Sequence, residues 1–215
     1  MRVLFLGNSY TFYNDVPGQV AAMAHEGGVA LAVEQVVEGG ADWSLHAGRL
    51  GGLDAIARRF DTVVLQGRST DPLLKARRFR KYGAILGKAA LAARSRVVLY
   101  QTWAWAADNG AYKHGWSKRS PAAWLSVVRN AYIALGRTLS AEVAPVGDAW
   151  ARAITTTDLD LYDSDRHHAS PLGSHLAATV LLATLTDLDP RQIAWRPPDV
   201  SERASARLKG IGAVV

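Results

Sequence analysis

The residues best suited to chemistry lie at two distant points of the chain. Near the start, the apolar run Val3-Leu4-Phe5-Leu6 passes into Gly7-Asn8-Ser9; near the end, "YDSDRHHASPLG", Tyr162 to Gly173, places Asp165 three residues before His168. A serine hydroxyl becomes an effective nucleophile when an imidazole takes its proton and a carboxylate holds that imidazole in the required tautomer. An Asp-x-x-His spacing lets one loop present both groups, with His168 taking the proton of Ser9 and Asp165 orienting His168. His167 competes for the base role, and the spacing favours His168. Gly, Asn and Ser are also ordinary turn formers, so Gly7-Asn8-Ser9 taken alone reads equally as a plain strand-to-helix turn.

The pattern around these residues alternates strand-like and helix-like segments. Strands are predicted at Arg2 to Leu6, Ala30 to Val37, Asp61 to Gln66, Arg96 to Thr102 and Glu142 to Val146. The unbroken apolar middle of "DTVVLQ" predicts burial on both faces. Helices are predicted at Val16 to Glu26, Pro72 to Arg94, Pro121 to Leu139, Pro171 to Leu185 and Glu202 to Lys209, the last ending at Gly210. Ser170 is placed to cap the fourth of these, with Pro171 in its first turn. In the second, Phe79, Tyr82, Ile85, Leu86, Ala89 and Ala93 are expected to share the buried face.

Such alternation predicts an α/β fold: a parallel sheet of five strands between two helical layers, in one domain spanning 1–215. Ligands of such sheets bind beyond the carboxyl ends of the strands. That rule selects Gly7-Asn8-Ser9, Glu38-Gly39-Gly40, Gln66-Gly67-Arg68-Ser69, and Trp103 with the loop after it. The segment Ala104 to Ser120 is long for a strand-to-helix connection and is expected to cover a site.

Composition narrows the chemistry. The absence of cysteine removes disulfides, thiolate nucleophiles and Cys-ligated metals. The formal charge of +6 is concentrated partly in "KARRFRKYG", Lys75 to Gly83. Without a helix-turn-helix, RNA-binding or zinc-finger pattern, this reads as a solvated helix face, and no nucleic-acid partner is expected. No stretch has the length of a membrane helix or of a signal peptide, so the chain reads as soluble and cytoplasmic, with no membrane partner. Asp163, Asp165, His167, His168 and His175 form a rival cluster of possible metal ligands. It leaves the serine and glycine segments unexplained, and no metal is expected.

The blocks "FLGNSYTFYNDVP", "VVEGGADWSLH", "VVLQGRS" and "LYDSDRHHASPLGSHLAA" fall in an order that resembles the SGNH (GDSL-type) hydrolase superfamily, in its Gly-Asn-Ser form. "TWAW" and "APVGDAW" are in keeping, and the resemblance spans Leu4 to Ala178. It implies a three-layer α/β/α sandwich of flavodoxin-like type. It further implies Ser9 as nucleophile, His168 as general base and then acid, and Asp165 as its partner. The oxyanion hole would be formed by the backbone N–H groups of Ser9 and Gly40, or Gly39 in its place, with a side-chain amide. The family's third block usually offers Asn; here the equivalent is Gln66, with Arg68 as an alternative.

The expected reaction is acyl transfer without metal or organic cofactor, on a small-molecule or acylated carbohydrate substrate. Trp103, Trp105 and Trp116 offer aromatic faces for sugar C–H groups, and Arg68 a hydrogen-bonding cation. The expected activity is that of a carbohydrate or small-molecule O-acyl esterase, foremost a deacetylase. A thioesterase or acyltransferase with the same triad, or a binding module on the same fold, remains open, and no oligomeric state follows from the sequence.

Overall fold

In the computed structural model, which describes residues 1–213, β1 (Arg2–Gly7), β2 (Ala32–Val37), β3 (Thr62–Gln66), β4 (Arg96–Tyr100) and β5 (Glu142–Ala144) form one sheet. Every pairing is parallel, and the spatial order is β2-β1-β3-β4-β5. The chain leaves β1 for β2 on one side, then returns to place β3 on the other. The connections diverge there and open a crevice at the carboxyl edge of β1 and β3.

The helices, in chain order, are α1 (Ser9–Phe12), α2 (Val16–Glu26), α3 (Trp43–Ala47), α4 (Gly52–Ala57), α5 (Asp71–Leu74), α6 (Ala76–Ala92), α7 (Pro121–Leu139), α8 (Val146–Thr156), α9 (Pro171–Leu185) and α10 (Glu202–Gly212). Successive side chains of a strand point to opposite faces. Val3, Phe5, Val64, Val98 and Tyr100 therefore pack against α2, α8, α9 and α10, whereas Leu4, Leu6, Val63, Leu65, Val97 and Leu99 pack toward α3, α4, α6 and α7. Burial of both faces makes the expected three-layer α/β/α sandwich. Among the described residues, no helix is long and apolar enough to cross a membrane.

Several local expectations are corrected. The helix expected from Pro72 to Arg94 is broken at Lys75, whose φ of −138° and ψ of 40° separate α5 from α6. The buried stripe of α6 is Phe79, Gly83, Leu86, Gly87 and Ala90, while Ile85 is exposed. The two glycines explain the rotation: a Cβ at Gly83 would lie 2.5 Å from the Trp43 ring, and one at Gly87 would lie 2.3 Å from Leu139. α8, which the sequence pattern did not predict, follows directly from β5, so Val146 is helical and not part of the strand. α10 runs through Gly210, because burying Leu208 and Ile211 outweighs the helix penalty of about 1 kcal/mol for one glycine.

Within the layer that covers α2 lies a buried histidine. His175 of α9 is fully buried, with Nδ1 3.3 Å from Gln19 Oε1 and Nε2 2.9 Å from Ser205 Oγ. Burial, with the Lys209 ammonium nearby, pushes its pKa down to about 4. The folded protein therefore holds it neutral, whereas the unfolded chain protonates it below the ordinary histidine value. This contribution to stability is complete above about pH 6.5 and is lost as the pH falls toward 4. About 2 kcal/mol is expected to be lost between pH 7 and 5. Urea unfolding at the two pH values should show that difference in the wild type and a smaller one in His175→Gln; equal slopes would remove His175 as the cause.

Candidate active site

The turn after β1 is pinned from several sides. Asn8 caps α1, with its Oδ1 accepting the Tyr10 N–H at 3.1 Å and its Nδ2 donating to Ala41 O at 2.9 Å. The second bond ties the serine turn to the Gly39-Gly40 segment after β2. The buried His46 ring donates from Nε2 to Gly7 O at 3.0 Å, and burial lowers its pKa by disfavouring the charged ring. Gly7 must lack a side chain, since a Cβ there would lie 2.1 Å from Thr11 Oγ1 and 2.7 Å from Gln66 Oε1. These contacts fix Ser9 as the first residue of α1, at the carboxyl edge of the sheet.

The loop between α8 and α9 brings the other two groups to it. An antiparallel bridge pairs Tyr162 with Ala169, and Asp163 N–H donates to His168 O at 2.9 Å. At its tip, Arg166 takes a left-handed φ of 62° and pairs with Asp108 at 3.0 Å and Asp160 at 2.8 Å. His168 Nε2 lies 2.8 Å from Ser9 Oγ, and His168 Nδ1 lies 2.5 Å from Asp165 Oδ2. The carboxylate selects the tautomer with the proton on Nδ1, so Nε2 is free to accept from the serine.

Asp165 Oδ1 accepts the N–H groups of His167 at 3.0 Å and His168 at 2.9 Å. Partial burial works to raise the Asp165 pKa; the hydrogen bonds from the His168 ring and from the two backbone N–H groups overcome it and hold the carboxyl at about 2. Tyr13 stacks on the His168 ring with centroids 4.5 Å apart.

Ser9 and His168 border a cleft of about 330 Å³, whose walls include Gly39, Gly40, Arg68, Trp105 and His167. Gly40 adopts a φ of +68°, a conformation that favours glycine. Among the described residues, the N–H groups of Ser9, Gly39 and Gly40 take no hydrogen-bond partner.

Gln66 does not serve this cleft as expected. Its Oε1 accepts from Asn8 N and Thr11 Oγ1, both at 2.9 Å, and its Nε2 donates to Gly67 O at 2.5 Å, so its amide braces the serine turn from below. Gln66→Leu would leave buried groups unpaired, and a stability loss of roughly 3 kcal/mol is expected by urea unfolding. A loss below about 0.5 kcal/mol would mean that water replaces the amide.

The tryptophans divide. Trp105 borders the cleft, stacks on His167 at 4.9 Å and donates from Nε1 to Tyr10 Oη at 2.9 Å. Trp103 is fully buried and sits between Tyr10 at 4.3 Å and Trp150 at 4.0 Å, nearly parallel to both. Its Nε1 donates to His167 O at 3.0 Å, so it supports the histidine loop and meets no substrate. Trp116 packs edge-on to Trp105 at 6.1 Å and against Trp124 at 5.5 Å, away from the cleft.

The segment 104–120 is thus a buttress more than a cover. It folds into two short 3-10 turns, Gly110–Lys113 and Gly115–Ser117. Ala106 N–H donates to Arg166 O at 3.0 Å, and Tyr112 Oη donates to Trp105 O at 2.8 Å. His46, Tyr13 and Trp150 complete the support. The block "VVEGGADWSLH" ends on His46 and "APVGDAW" on Trp150, but nothing in their spacing shows that one holds the Gly7 carbonyl and the other a stacked ring.

The rival metal set does not assemble as a whole, since His175 lies with Gln19 and Ser205. Asp165, His167 and His168 do approach, with possible ligand atoms within 4.8 Å of one another. Both ring nitrogens of His168 are already engaged by Ser9 and Asp165, so a metal would have to displace that relay.

No family model matches the sequence, and no curated protein does. Solved structures match well. A protein from Slackia heliotrinireducens, assigned as an SGNH hydrolase, is 30% identical with a TM-score of 0.75, over 86% of this chain and 99% of that one. A DUF4886 family protein from Bacteroides uniformis is 15% identical with a TM-score of 0.79, over 99% of this chain and 93% of that one. An acetyl-xylooligosaccharide esterase from Geobacillus is 13% identical with a TM-score of 0.65, over 85% of this chain and 92% of that one; at such identity the likeness is one of fold. With the first relative matched over nearly its whole length, and with the strand-end serine, paired glycines and Asp-x-x-His loop gathered at one sheet edge, the chain belongs to the SGNH hydrolase superfamily.

Proposed function

We propose that this hydrolase is a serine esterase that removes O-acyl groups, foremost acetyl, from a carbohydrate or small molecule. The observation that carries the reading is the continuous relay from Ser9 Oγ to His168 Nε2 at 2.8 Å and from His168 Nδ1 to Asp165 Oδ2 at 2.5 Å. Ser9 attacks the ester carbonyl while its proton passes to His168 Nε2. The tetrahedral oxyanion is met by the N–H groups of Ser9 and Gly40, with Gly39 beside them. Collapse expels the alcohol, which takes the proton from His168. Water, deprotonated in turn by His168, then releases the acid and restores Ser9.

A cleft of about 330 Å³ is at the small end for ligand sites and suits a short acyl group. The carbohydrate part of the reading draws on Trp105 at the cleft wall and on the sugar esterase that shares the fold. Intact-mass labelling with a fluorophosphonate tests the mechanism. One adduct on the wild type and none on Ser9→Ala, together with hydrolysis of a short-chain aryl acetate, is the expected outcome. No adduct and no hydrolysis by folded protein would overturn the reading.

A further inference from the structure

We propose that the natural ester carries an anionic group, a carboxylate or phosphate oxyanion, and that Arg68 holds it. The inference rests on the esterase reading and narrows its substrate class. Among the residues bordering the cleft, Arg68 carries the only permanent charge, and no Asp or Glu lies in the cleft wall. Arg68 is exposed and forms no ion pair among the described residues, whereas nearby Arg78 is engaged by Asp42 at 3.3 Å and by the Ser44 hydroxyl at 3.1 Å from its Nε.

The backbone beneath Arg68 is fixed although its side chain is free. Gly67 N–H donates to Tyr132 Oη at 3.0 Å, and Asp71 N–H donates to Arg68 O at 3.0 Å. Gln66, Ser69 and Thr70 on either side are buried. Such a turn presents a guanidinium across the sheet's switch point from Ser9, with the hydroxyls of Ser69 and Thr70 beside it at the cleft wall. The planar guanidinium fork matches a carboxylate or phosphate with two parallel hydrogen bonds.

The charges around this turn leave the cation available. Asp71 is buried and makes no ion pair with Arg68; it also faces Lys75, Arg78 and Asp42, and burial with Asp42 nearby raises its pKa to about 6. Beyond it, Lys75, Arg77, Arg80 and Lys81 lie exposed at the start of α6, with no ion pair among the described residues. The attraction of an anionic ester to Arg68, with these cations on the following helix, would be weakened by salt.

The test compares matched acetate esters: a neutral methyl glucoside, the corresponding methyl glucuronide, and a glucose phosphate. Wild type is expected to show kcat/KM at least about tenfold higher for a charged ester than for the neutral one, falling as salt is added. Arg68→Gln is expected to erase most of that ratio, and Arg68→Lys to restore only part of it. The glucuronide and phosphate arms identify which oxyanion is preferred.

Equal kcat/KM for neutral and charged esters, with the aryl acetate still hydrolysed, would overturn this proposal and leave the esterase reading intact. If no ester is hydrolysed, the esterase reading fails instead, and titration of wild type and Arg68→Gln with glucuronate and glucose decides the anion site. Binding of glucuronate alone that is lost in Arg68→Gln would support it; no discrimination between the two sugars would overturn it.

Discussion

Ser9→Ala is expected to lower kcat for a short-chain aryl ester by on the order of 10⁶-fold, the scale seen when the nucleophile of a serine triad is removed. In the proposed mechanism the hydroxyl oxygen bonds to the carbonyl carbon, and Ala leaves His168 Nε2 facing a methyl group. Residual activity would come from the oxyanion donors and from substrate positioning, which survive the change. Stability should change by less than about 1 kcal/mol, because one hydrogen bond is lost and no buried charge is left behind. Steady-state kinetics together with urea unfolding separates the two effects. Retention of activity within tenfold of wild type would point to another hydroxyl at the cleft wall, Ser69 or Thr70, as the nucleophile.

Asp165→Asn should reduce kcat by on the order of 10⁴-fold. In the wild type one carboxylate oxygen accepts the His168 ring proton and the other accepts two backbone N–H groups. An amide can satisfy only one of these demands. If its oxygen faces the backbone, its NH₂ faces His168 Nδ1 and drives the ring proton to Nε2, where it blocks acceptance from Ser9. If its oxygen faces the ring, its NH₂ opposes two N–H donors and the loop must shift.

The carboxyl's depressed pKa gives this prediction a pH component. A carboxyl lowered from 3.8 to about 2 is ionised at every pH above that range, and its stabilising contribution, complete well above 3.8, is lost as the pH falls from there toward 2. Protonation of Asp165 is therefore expected to contribute no limb to the wild-type pH–rate profile above about pH 4. A pH–rate profile measured from about pH 4 to 9 checks this, and an inflection in that range that is traced to the Asp165 carboxyl would overturn it.

Much of this arrangement is legible along the chain, and the reason is locality. Apolar runs such as Val63-Val64-Leu65 mark buried parallel strands, and a serine after the first strand and an Asp-x-x-His before the last large helix are read from neighbours only a few residues away. The parallel order then carries these segments to one edge, since right-handed crossovers return each strand in the same direction.

What the tertiary structure alone decided is which way ambiguous side chains face. Gln66 lies at the right strand end to reach an oxyanion, yet its amide turns inward because Asn8 N–H, the Thr11 hydroxyl and Gly67 O are buried beside it and need partners. Trp103, Trp105 and Trp116 share one stretch of sequence, but only Trp105 meets the cleft, because Tyr10 and Trp150 from distant segments enclose Trp103 and Trp124 draws Trp116 aside. Composition and spacing determined the sheet, the serine and its relay; close packing between remote elements determined which neighbours brace that relay and which side chains are left to meet a substrate.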